Sequence, residues 1–238
     1  MSVELRPAAE RYRSLRQGVE SRHSFSFGPH YEPENVAFGP LTAHNEERVG
    51  PGAGFPDHRH VDVEIVTWVL AGALVHTDSL GHESVLRPGD LRVQSAGTGI
   101  VHAETGHPDT GVTRFVQAWL RPDEPGGEPA AGVTHLGSEG EHLTPERDGR
   151  VLAAAGRPAA PLLLGTASAT LWLSRLGPGE RVILPEAPLQ HLHVAGGRAR
   201  LPAGSVLLDD GDCLRMVDEP GLTVEAESPV ELLIWAFG

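Results

Sequence analysis

The sequence predicts an all-β protein built from two β-barrels of similar plan. Short segments of alternating apolar and polar residues recur along the chain, and glycine- and proline-rich turns separate them. Such alternation is typical of strands with one buried face. Two turns also recur at offsets of about 122 to 124 residues: Gly89–Arg92 resembles Gly211–Arg215, and Val69–Gly72 resembles Val194–Gly197. These offsets predict an internal repeat, which is consistent with a chain of 238 residues of which 39% are hydrophobic.

Composition excludes several classes of function. The formal net charge is −13, which argues against direct binding to nucleic acid or to anionic membranes. All basic residues are arginine, so Schiff-base chemistry and a phosphate-loop lysine are excluded. Cys213 is the single cysteine, which precludes a disulfide within the chain and favours a cytoplasmic location. Residues 1–18 lack the apolar core of a signal peptide, and residues 65–75, the longest apolar run, are too short to span a membrane.

The first part of the chain predicts short strands. Residues 1–22 are charged and form an N-terminal arm with some strand character. Alternating phenylalanines predict a strand over residues 25–27, and a further strand is expected over 38–43. His23 lies just before the first of these strands. A functional role is open to it, but the sequence favours a packed or solvent-facing histidine.

A β-meander is predicted between Asp57 and Glu104. Its first strand covers residues 58–70, and three turns separate it from strands at 73–78, 83–87 and 91–95. The turn Ala96–Gly99 then leads to the strand that carries His102 and Glu104, and residues 112–120 form the last strand of the first barrel. His76 and His82 have no partner at alternate spacing, so we expect both at the surface.

Two pairs of potential metal ligands lie at the two ends of this meander. Side chains alternate between the faces of a strand, so His58 and His60 point the same way, and so do His102 and Glu104. Neighbouring strands would then bring three imidazoles and one carboxylate together. The sequence therefore predicts a metal site formed by His58, His60, His102 and Glu104.

The same alternation predicts the surroundings of the site. Val66 and Trp68 share the parity of the ligand histidines, so we expect them to form the dry part of a substrate pocket. Glu64 also has this parity. It could be a further ligand or an acid/base group, but the role we favour is accepting a hydrogen bond from a ligand histidine.

A change in composition predicts the domain organisation. Residues 121–132 are rich in proline, glycine and acidic side chains, as in an extended linker. We therefore expect a metal-binding domain over residues 1–122, a linker and connecting segment over 123–160, and a second domain over 161–238.

The second domain is predicted to hold no metal. The offset places four residues that cannot ligate at the positions of the ligands: Val182, Leu184, Val224 and Ala226. His191 and His193 do form a His-x-His pair, but it lies close to its glycine turn and lacks a second ligand pair. One metal ion per chain is therefore expected.

These motifs resemble those of the cupin superfamily and, within it, the pirin family. His58, His60, Glu64 and Gly72 match the first cupin motif, and Gly89, the turn 97–99 and His102 match the second. Glu104, two residues after that histidine, is the mark of pirins, in which it is the fourth ligand. His23–Phe27 and Tyr31–Pro33 also resemble the pirin sequence, although pirins usually carry an aspartate where Glu32 stands. The resemblance is specific over about residues 20–122 and faint beyond.

The resemblance implies a bicupin fold, two jelly-roll-like barrels of the double-stranded β-helix type, with one metal in the first barrel and a degenerate second barrel. It implies iron as the usual ion, whereas the ligand chemistry alone also suits Mn, Ni, Co, Cu or Zn. Several bacterial relatives resemble quercetin 2,3-dioxygenases, so the expected activity is cleavage of quercetin or a related phenolic by dioxygen, with Glu104 as the base and carbon monoxide released. The alternative is a regulatory protein like the animal relative, which binds a protein partner in a metal-dependent way.

Overall fold

The computed structural model describes residues 1–137, 149–158, 160–202, 206–219 and 221–238. Its regular structure is nearly all strand, with short 3-10 helices at Ala8–Glu10 and Pro33–Asn35. In chain order the first strands are β1 (Ser2–Arg6), β2 (Tyr12–Arg16), β3 (Val19–His23), β4 (Leu41–Val49), β5 (Gly54–His60), β6 (Glu64–Ala71), β7 (Leu74–Asp78), β8 (Glu83–Leu86), β9 (Asp90–Ser95), β10 (Ile100–Gly106), β11 (Thr113–Leu120) and β12 (Ala130–His135). The others are β13 (Val151–Ala155), β14 (Leu162–Leu163), β15 (Ala169–Leu176), β16 (Arg181–Ile183), β17 (Leu189–Gly196), β18 (Ala199–Leu201), β19 (Val206–Leu208), β20 (Cys213–Val217), β21 (Thr223–Ala226) and β22 (Val230–Phe237). Within the described ranges, no helix is both long and apolar enough to cross a bilayer.

The chain divides into two compact units with the same sheet plan. The first unit holds the described residues of Tyr12–Glu141 together with Leu164–Thr166. The second holds Met1–Arg11 and the described residues of His142–Leu163 and Ala167–Gly238. The first unit has a seven-stranded sheet of order β12-β9-β6-β11-β4-β3-β2 and a four-stranded sheet of order β5-β10-β7-β8. The second has the orders β1-β20-β17-β22-β15-β13-β14 and β16-β21-β18-β19. Strand by strand the two orders correspond, which confirms the all-β bicupin fold.

Each unit has an apolar core between its two sheets. In the first unit, buried side chains of the seven-stranded sheet, such as Val69 and Phe115, pack with Leu74 and Leu86 of the four-stranded sheet. In the second unit, buried side chains of both sheets form one apolar cluster. It includes all four positions that correspond to the predicted ligands: Val182, Leu184, Val224 and Ala226. Val182 lies directly opposite Val224, as His58 lies opposite His102.

The domain boundaries differ from those expected. β1 pairs with β20 over five residues, so the start of the chain belongs to the second unit. β12 pairs with β9 and completes the first sheet, while β13 pairs with β15 in the second. Both β12 and β13 fall inside the 123–160 segment that we expected to be a linker. The sequence could not reveal this, because an edge strand is defined by its long-range hydrogen-bond partner and carries only weak patterning of its own. Residues 138–148 and 159 of that segment lie outside the described residues.

Three local predictions also need correction. The expected strand over 58–70 is two strands, β5 and β6, because the chain breaks between them at Asp62, whose φ of 51° is left-handed. Residues 25–27 are not a strand: Phe25 is buried, and Phe27 forms an isolated bridge to His30. β4 begins at Leu41 rather than at residue 38 and continues to Val49. The predictions for β7, β8, β9 and β11 are confirmed to within one residue at either end.

We predict that deleting residues 1–7 destabilises the second unit and leaves the metal site intact. The deletion removes the strand that pairs with β20, whereas every predicted ligand lies in the first unit. The melting temperature should fall by roughly 4–8 °C for each kcal/mol lost by a domain of this size. Calorimetry and metal analysis of the full and shortened chains would check this. Loss of metal with an unchanged melting temperature would contradict it.

Candidate metal centre

The pairing of β5 with β10 builds the site. In this antiparallel pair His58 lies directly opposite His102, and His60 lies opposite Ile100. The Nε2 atoms of His58 and His102 are 3.0 Å apart. The His60 ring stands at 4.8 Å from the His58 ring and 4.9 Å from the His102 ring, nearly perpendicular to both. The three predicted histidines are therefore together, on one face of one sheet.

An irregularity in the pairing of β5 with β10 lies beside the site. His102 pairs with His58 and Glu104 pairs with Phe55, so β5 holds one residue more than β10 between these two pairs. At the next pair, Thr105 with Gly54, a Cβ atom on the glycine would lie 2.1 Å from the backbone oxygen of Glu104, so only glycine allows this approach. On the other side of β10 the pairing with β7 is regular, and Glu104 lies opposite His76. Glu104 therefore lies between β5 and β7, with its backbone close to Gly54 and with His76 directly across from it.

The donor atoms form two overlapping groups that share His102. Those of His58, His60 and His102 lie within 4.8 Å of one another, and so do those of His76, His102 and Glu104. His76 is only 1% exposed, with its Nδ1 at 3.8 Å from a Glu104 oxygen. The expectation that His76 lies at the surface was wrong. Its cross-strand position opposite Glu104 could have been found only by aligning β7 with β10.

The environment keeps the imidazoles neutral. Burial lowers the pKa of His60 to about 4, with a further lowering by His58. Burial likewise lowers the pKa of His102 to about 4, against the opposing effect of the Glu104 carboxylate. A neutral imidazole has a lone pair to offer, so these rings are ready to bind a metal at neutral pH.

Glu104 is held as a carboxylate. Burial would raise its pKa, but His76, His102 and a hydrogen bond from Gln117 outweigh burial and lower the pKa to about 2. The amide nitrogen of Gln117 donates to both Glu104 oxygens, at 2.9 and 3.2 Å. The indole N–H of Trp119 donates to the Gln117 oxygen at 3.0 Å. Since an indole can only donate, this contact fixes which end of the amide faces Glu104.

Charged residues surround His76 on the side away from Glu104. The Asp78 carboxylate lies 3.3 Å from Nε2 of His76 and accepts a hydrogen bond from Arg92 at 2.9 Å. His82, which is largely exposed, contacts the same carboxylate at 3.0 Å. Burial would raise the pKa of Asp78, but hydrogen bonds led by those of His82 lower it to about 2. Asp78 is therefore an anion that fixes the orientation of His76.

A cavity of about 290 Å³ opens onto the site. His58, Glu104 and Gln117 line one end, and the aromatic side chains of Phe27, Phe55 and Trp119 line its walls. The remaining wall comes from strands β2, β3 and β4 and from the loop after β3: Ser14, Arg16, Ser21, His23, Gly28, Pro29, Asn45 and Glu47, with Pro56 and Asp57 beside His58.

The predicted pocket residues lie elsewhere. Thr67 and Gln117 are hydrogen-bonded to each other on the sheet face that carries the contact with Glu104. Val66 and Trp68 flank Thr67 in β6, so their side chains lie on the opposite face of the sheet. Both are buried, but they do not line the cavity. The prediction was wrong because it carried the parity of His58 and His60 across the break at Asp62.

Other predicted residues are placed as follows. Glu64 accepts hydrogen bonds from the Ser95 hydroxyl at 2.7 Å and from Gly165 N at 3.0 Å, so it does not support a ligand histidine. His23 is a packed residue: it is 2% exposed and stacks on Phe27 with ring centroids 4.6 Å apart. His191 and His193 are buried in β17, with His193 Nδ1 at 3.3 Å from the Cys213 sulfur.

The residues present fit a divalent transition-metal ion. Nitrogens bound at adjacent positions of one ion, with bonds of about 2.1 Å, lie roughly 3.0 Å apart, as the His58 and His102 Nε2 atoms do. His58 donates from Nδ1 to the Pro56 carbonyl at 2.8 Å, which leaves its Nε2 lone pair available. Nε2 of His60 is buried and has no hydrogen-bond partner among the described residues. Such an atom calls for a ligand.

Sequence comparison gives consistent relatives. A sequence model of the Pirin family matches residues 5–120. A Mycobacterium tuberculosis protein named "Putative quercetin 2,3-dioxygenase" is 44% identical over 98% of this chain and 94% of its own length. A protein of the same kind of name from Pseudomonas aeruginosa is 34% identical over 91% of each chain.

Solved structures agree with the sequence relatives. YhhW from Escherichia coli is 28% identical and superposes with a TM-score of 0.87, covering 100% of this chain and 98% of its own. The bacterial pirin YhhW in complex with nickel(II) also has a TM-score of 0.87, at 27% identity, covering 99% of each chain. A structure of quercetin 2,3-dioxygenase from Acinetobacter baumannii is 18% identical with a TM-score of 0.75, covering 99% of this chain and 79% of its own, and shows the shared fold.

We predict that alanine at His58, His60 or His102 abolishes stoichiometric metal binding. Each change removes one of the three closely spaced imidazoles, and the remaining donors lose the geometry for tight binding. Elemental analysis should give one ion per chain for the wild type and well under one for each variant. His135→Ala, which changes an exposed histidine paired with Asp90, is the matched control and should keep its metal. Full occupancy in any of the three variants would remove that residue from the ligand set.

We also predict that acid weakens the metal-free protein between pH 6.5 and 4. The pKa of His60 and of His102 falls from 6.5 to about 4 on folding, so in this range the unfolded chain binds more protons. Their contribution to stability is complete above pH 6.5 and is lost as the pH falls toward 4. Urea unfolding at pH 7.5 and at pH 5 would measure this.

The double variant His60→Asn/His102→Asn is the control for that experiment. It lacks both imidazoles, so its unfolding midpoint should shift less between the two pH values. An equal shift in wild type and variant would show that other groups cause the acid sensitivity.

Proposed function

This chain belongs to the pirin family, and we propose that it is a metal-dependent dioxygenase that cleaves quercetin or a related flavonol with release of carbon monoxide. The observation that carries the proposal is the cavity, in which three aromatic side chains lead directly to His58 and Glu104. A flat aromatic substrate fits such walls, and its reacting end would lie at the ligand cluster. The names of the sequence relatives support the same reaction.

We propose that His58, His60, His102 and Glu104 hold the ion. Fe(II) is the ion we expect. The nitrogen-rich donor set also suits Mn, Ni, Co, Cu or Zn. The similar bacterial pirin YhhW has been solved in complex with nickel(II). When bound, the ion supplies a Lewis acid that polarises a substrate oxygen and keeps positions open for dioxygen. A single ion per chain follows from the apolar residues at the corresponding positions of the second unit.

Glu104 is the proposed base for the flavonol hydroxyl. It is anionic at neutral pH, as a base must be, but a pKa of about 2 makes it a weak proton acceptor. Its basicity rises if the hydrogen bonds from Gln117 lengthen when substrate enters. We therefore expect slow turnover, with Gln117 acting as the positioning residue that keeps the carboxylate directed at the substrate.

The remaining cavity residues bind and orient the substrate. Trp119 packs edge-on against His60 at 4.9 Å and against Phe27 at 5.1 Å, so the wall is continuous from the ligand cluster to the loop after β3. Aromatic walls exclude water from the reacting end, which protects oxygen-sensitive chemistry from side reactions. The partners that we propose are a small phenolic substrate and dioxygen. The location that we propose is the cytoplasm.

We predict that Glu104→Gln lowers the rate of flavonol cleavage by roughly 10²–10⁴-fold, the usual contribution of a general base. The change preserves volume and a ligating oxygen, so three histidines should still retain metal. The measurement is flavonol consumption with carbon monoxide detection, by metal-loaded protein at matched metal content.

Two results would contradict the proposal at different levels. If the loaded wild type shows no rate above free metal in solution, the dioxygenase function fails and a regulatory protein that binds a partner according to its metal state takes its place. If Glu104→Gln keeps both its metal and its full rate, the enzyme stands but Glu104 is not its base.

A further inference from the structure

A row of polar side chains crosses the cavity floor away from the ligand cluster. Gln117 of β11, Asn45 of β4 and His23 of β3 are directly paired neighbours, so their side chains share one sheet face. Adjacent strands are about 4.8 Å apart, so the row extends roughly 10 Å from Gln117. All three residues line the cavity, and Gln117 contacts Glu104. The polar row therefore begins beside Glu104 at Gln117, and Asn45 and His23 follow at one and two strand spacings from it.

Asn45 has a donor group beside the cavity that the protein leaves unused. The residue is only 2% exposed and lines the cavity. In the described part of the chain its amide makes one side-chain hydrogen bond, with Oδ1 at 3.0 Å from Nδ1 of His23. The two N–H donors of Nδ2 are therefore available to an acceptor in the cavity.

The contacts of His23 agree with this arrangement of the Asn45 amide. Nε2 of His23 lies 2.9 Å from the Ser14 hydroxyl, which also lies 3.4 Å from Nε2 of His30, and the His23 ring stacks on Phe27. When Ser14 donates to Nε2 of His23, the His23 proton resides on Nδ1 and is donated to Asn45 Oδ1. In that arrangement the nitrogen of the Asn45 amide is the end that a ligand can reach.

Glu47 supplies an acceptor next to this donor. It follows Asn45 by two residues in β4, so both side chains lie on the same face. Glu47 is 4% exposed, lines the cavity and accepts a hydrogen bond from the Ser21 hydroxyl. Its carboxylate is therefore an acceptor group on the cavity wall.

We infer that Asn45 and Glu47 select substrates whose ring remote from the metal carries hydroxyl groups. A phenolic hydroxyl accepts from an N–H and donates to a carboxylate, which is the pair of functions that these two residues offer. The aromatic walls hold the rings, and the polar end distinguishes a hydroxylated pendant ring from a bare phenyl ring. This inference rests on the proposed function, since it takes the occupant of the cavity to be a flavonol bound at the ligand cluster.

The test compares two flavonols: quercetin, and the flavonol that differs only in lacking both hydroxyls on the pendant phenyl ring. Affinities are measured without oxygen by calorimetry on the full-length metal-loaded protein, so that no turnover occurs. We expect the wild type to bind quercetin about 10-fold more tightly, the effect of one or two neutral hydrogen bonds. Asn45→Leu should reduce this ratio to about 1, with little change for the bare-ring flavonol.

The ratio of the two affinities protects the test against folding defects, because general damage weakens both ligands alike. Asn45→Ser, a smaller polar change, replaces Asn45→Leu if the latter does not fold, and should give an intermediate ratio. Arg48→Gln is the matched control: it lies on the same strand with an exposed side chain outside the cavity, and should keep the wild-type ratio.

The outcomes separate this inference from the proposed function. Three results would overturn the selection by Asn45: equal affinities of the wild type for the two flavonols, no binding of either flavonol, or an unchanged affinity ratio in Asn45→Leu. A tenfold preference without any oxygen-dependent turnover would support the selection and defeat the dioxygenase. Turnover of both flavonols with equal affinities would leave the dioxygenase standing and defeat the selection.

Discussion

The close approach of the His58 and His102 Nε2 atoms, 3.0 Å apart, constrains the rest of the first unit. A neutral imidazole can bridge such a gap by donating its Nε2 proton to the facing nitrogen. The Gln94 amide nitrogen, 3.4 Å from Nδ1 of His102, favours the His102 tautomer that does so. Burial lowers the pKa of His102 to about 4, so the ring stays neutral at neutral pH. The pairing of β5 with β10 holds the two nitrogens at this spacing, and Gly54 permits the close approach of β5 to the backbone of Glu104. The backbone thus presets the distance between two facing nitrogens that a metal ion would bind in place of the shared proton.

The second unit shows what the same fold holds at these positions when the histidines are absent. Val182 lies opposite Val224, in the position where the first unit has His58 opposite His102. Both valines are fully buried in an apolar cluster that extends through the unit. Burying aliphatic side chains stabilises the unit directly, whereas buried imidazoles and carboxylates lose hydration and need partners. At these corresponding positions, one unit therefore buries apolar side chains and the other presents potential metal ligands.

The sequence predicted which side chains lie together within one strand, but not which side chains meet across neighbouring strands. The alternation rule placed His58 with His60 and His102 with Glu104 correctly, because each pair lies within a single strand. It failed for Val66 and Trp68, since the left-handed Asp62 ends β5 and resets the alternation. Neither His76 nor Gln117 could be assigned from the sequence, because their roles arise from cross-strand neighbours: His76 lies opposite Glu104, and Gln117 reaches it across the cavity face. The part of the cavity wall formed by β2 and β3 could not be predicted either, because the sequence of these strands contains no motif that is typical of a metal site.

A chain of hydrogen bonds links the cavity wall to the Glu104 carboxylate. Trp119 forms part of the wall and also donates its indole N–H to Gln117, which in turn donates to both Glu104 oxygens. Under the proposed function, a substrate that packs against the indole would contact the first member of this chain. A shift of Trp119 would loosen the hydrogen bonds of the Gln117 amide, and their loss would raise the pKa of Glu104. The proposal therefore couples the binding of an aromatic ring in the cavity to the basicity of Glu104 through one amide.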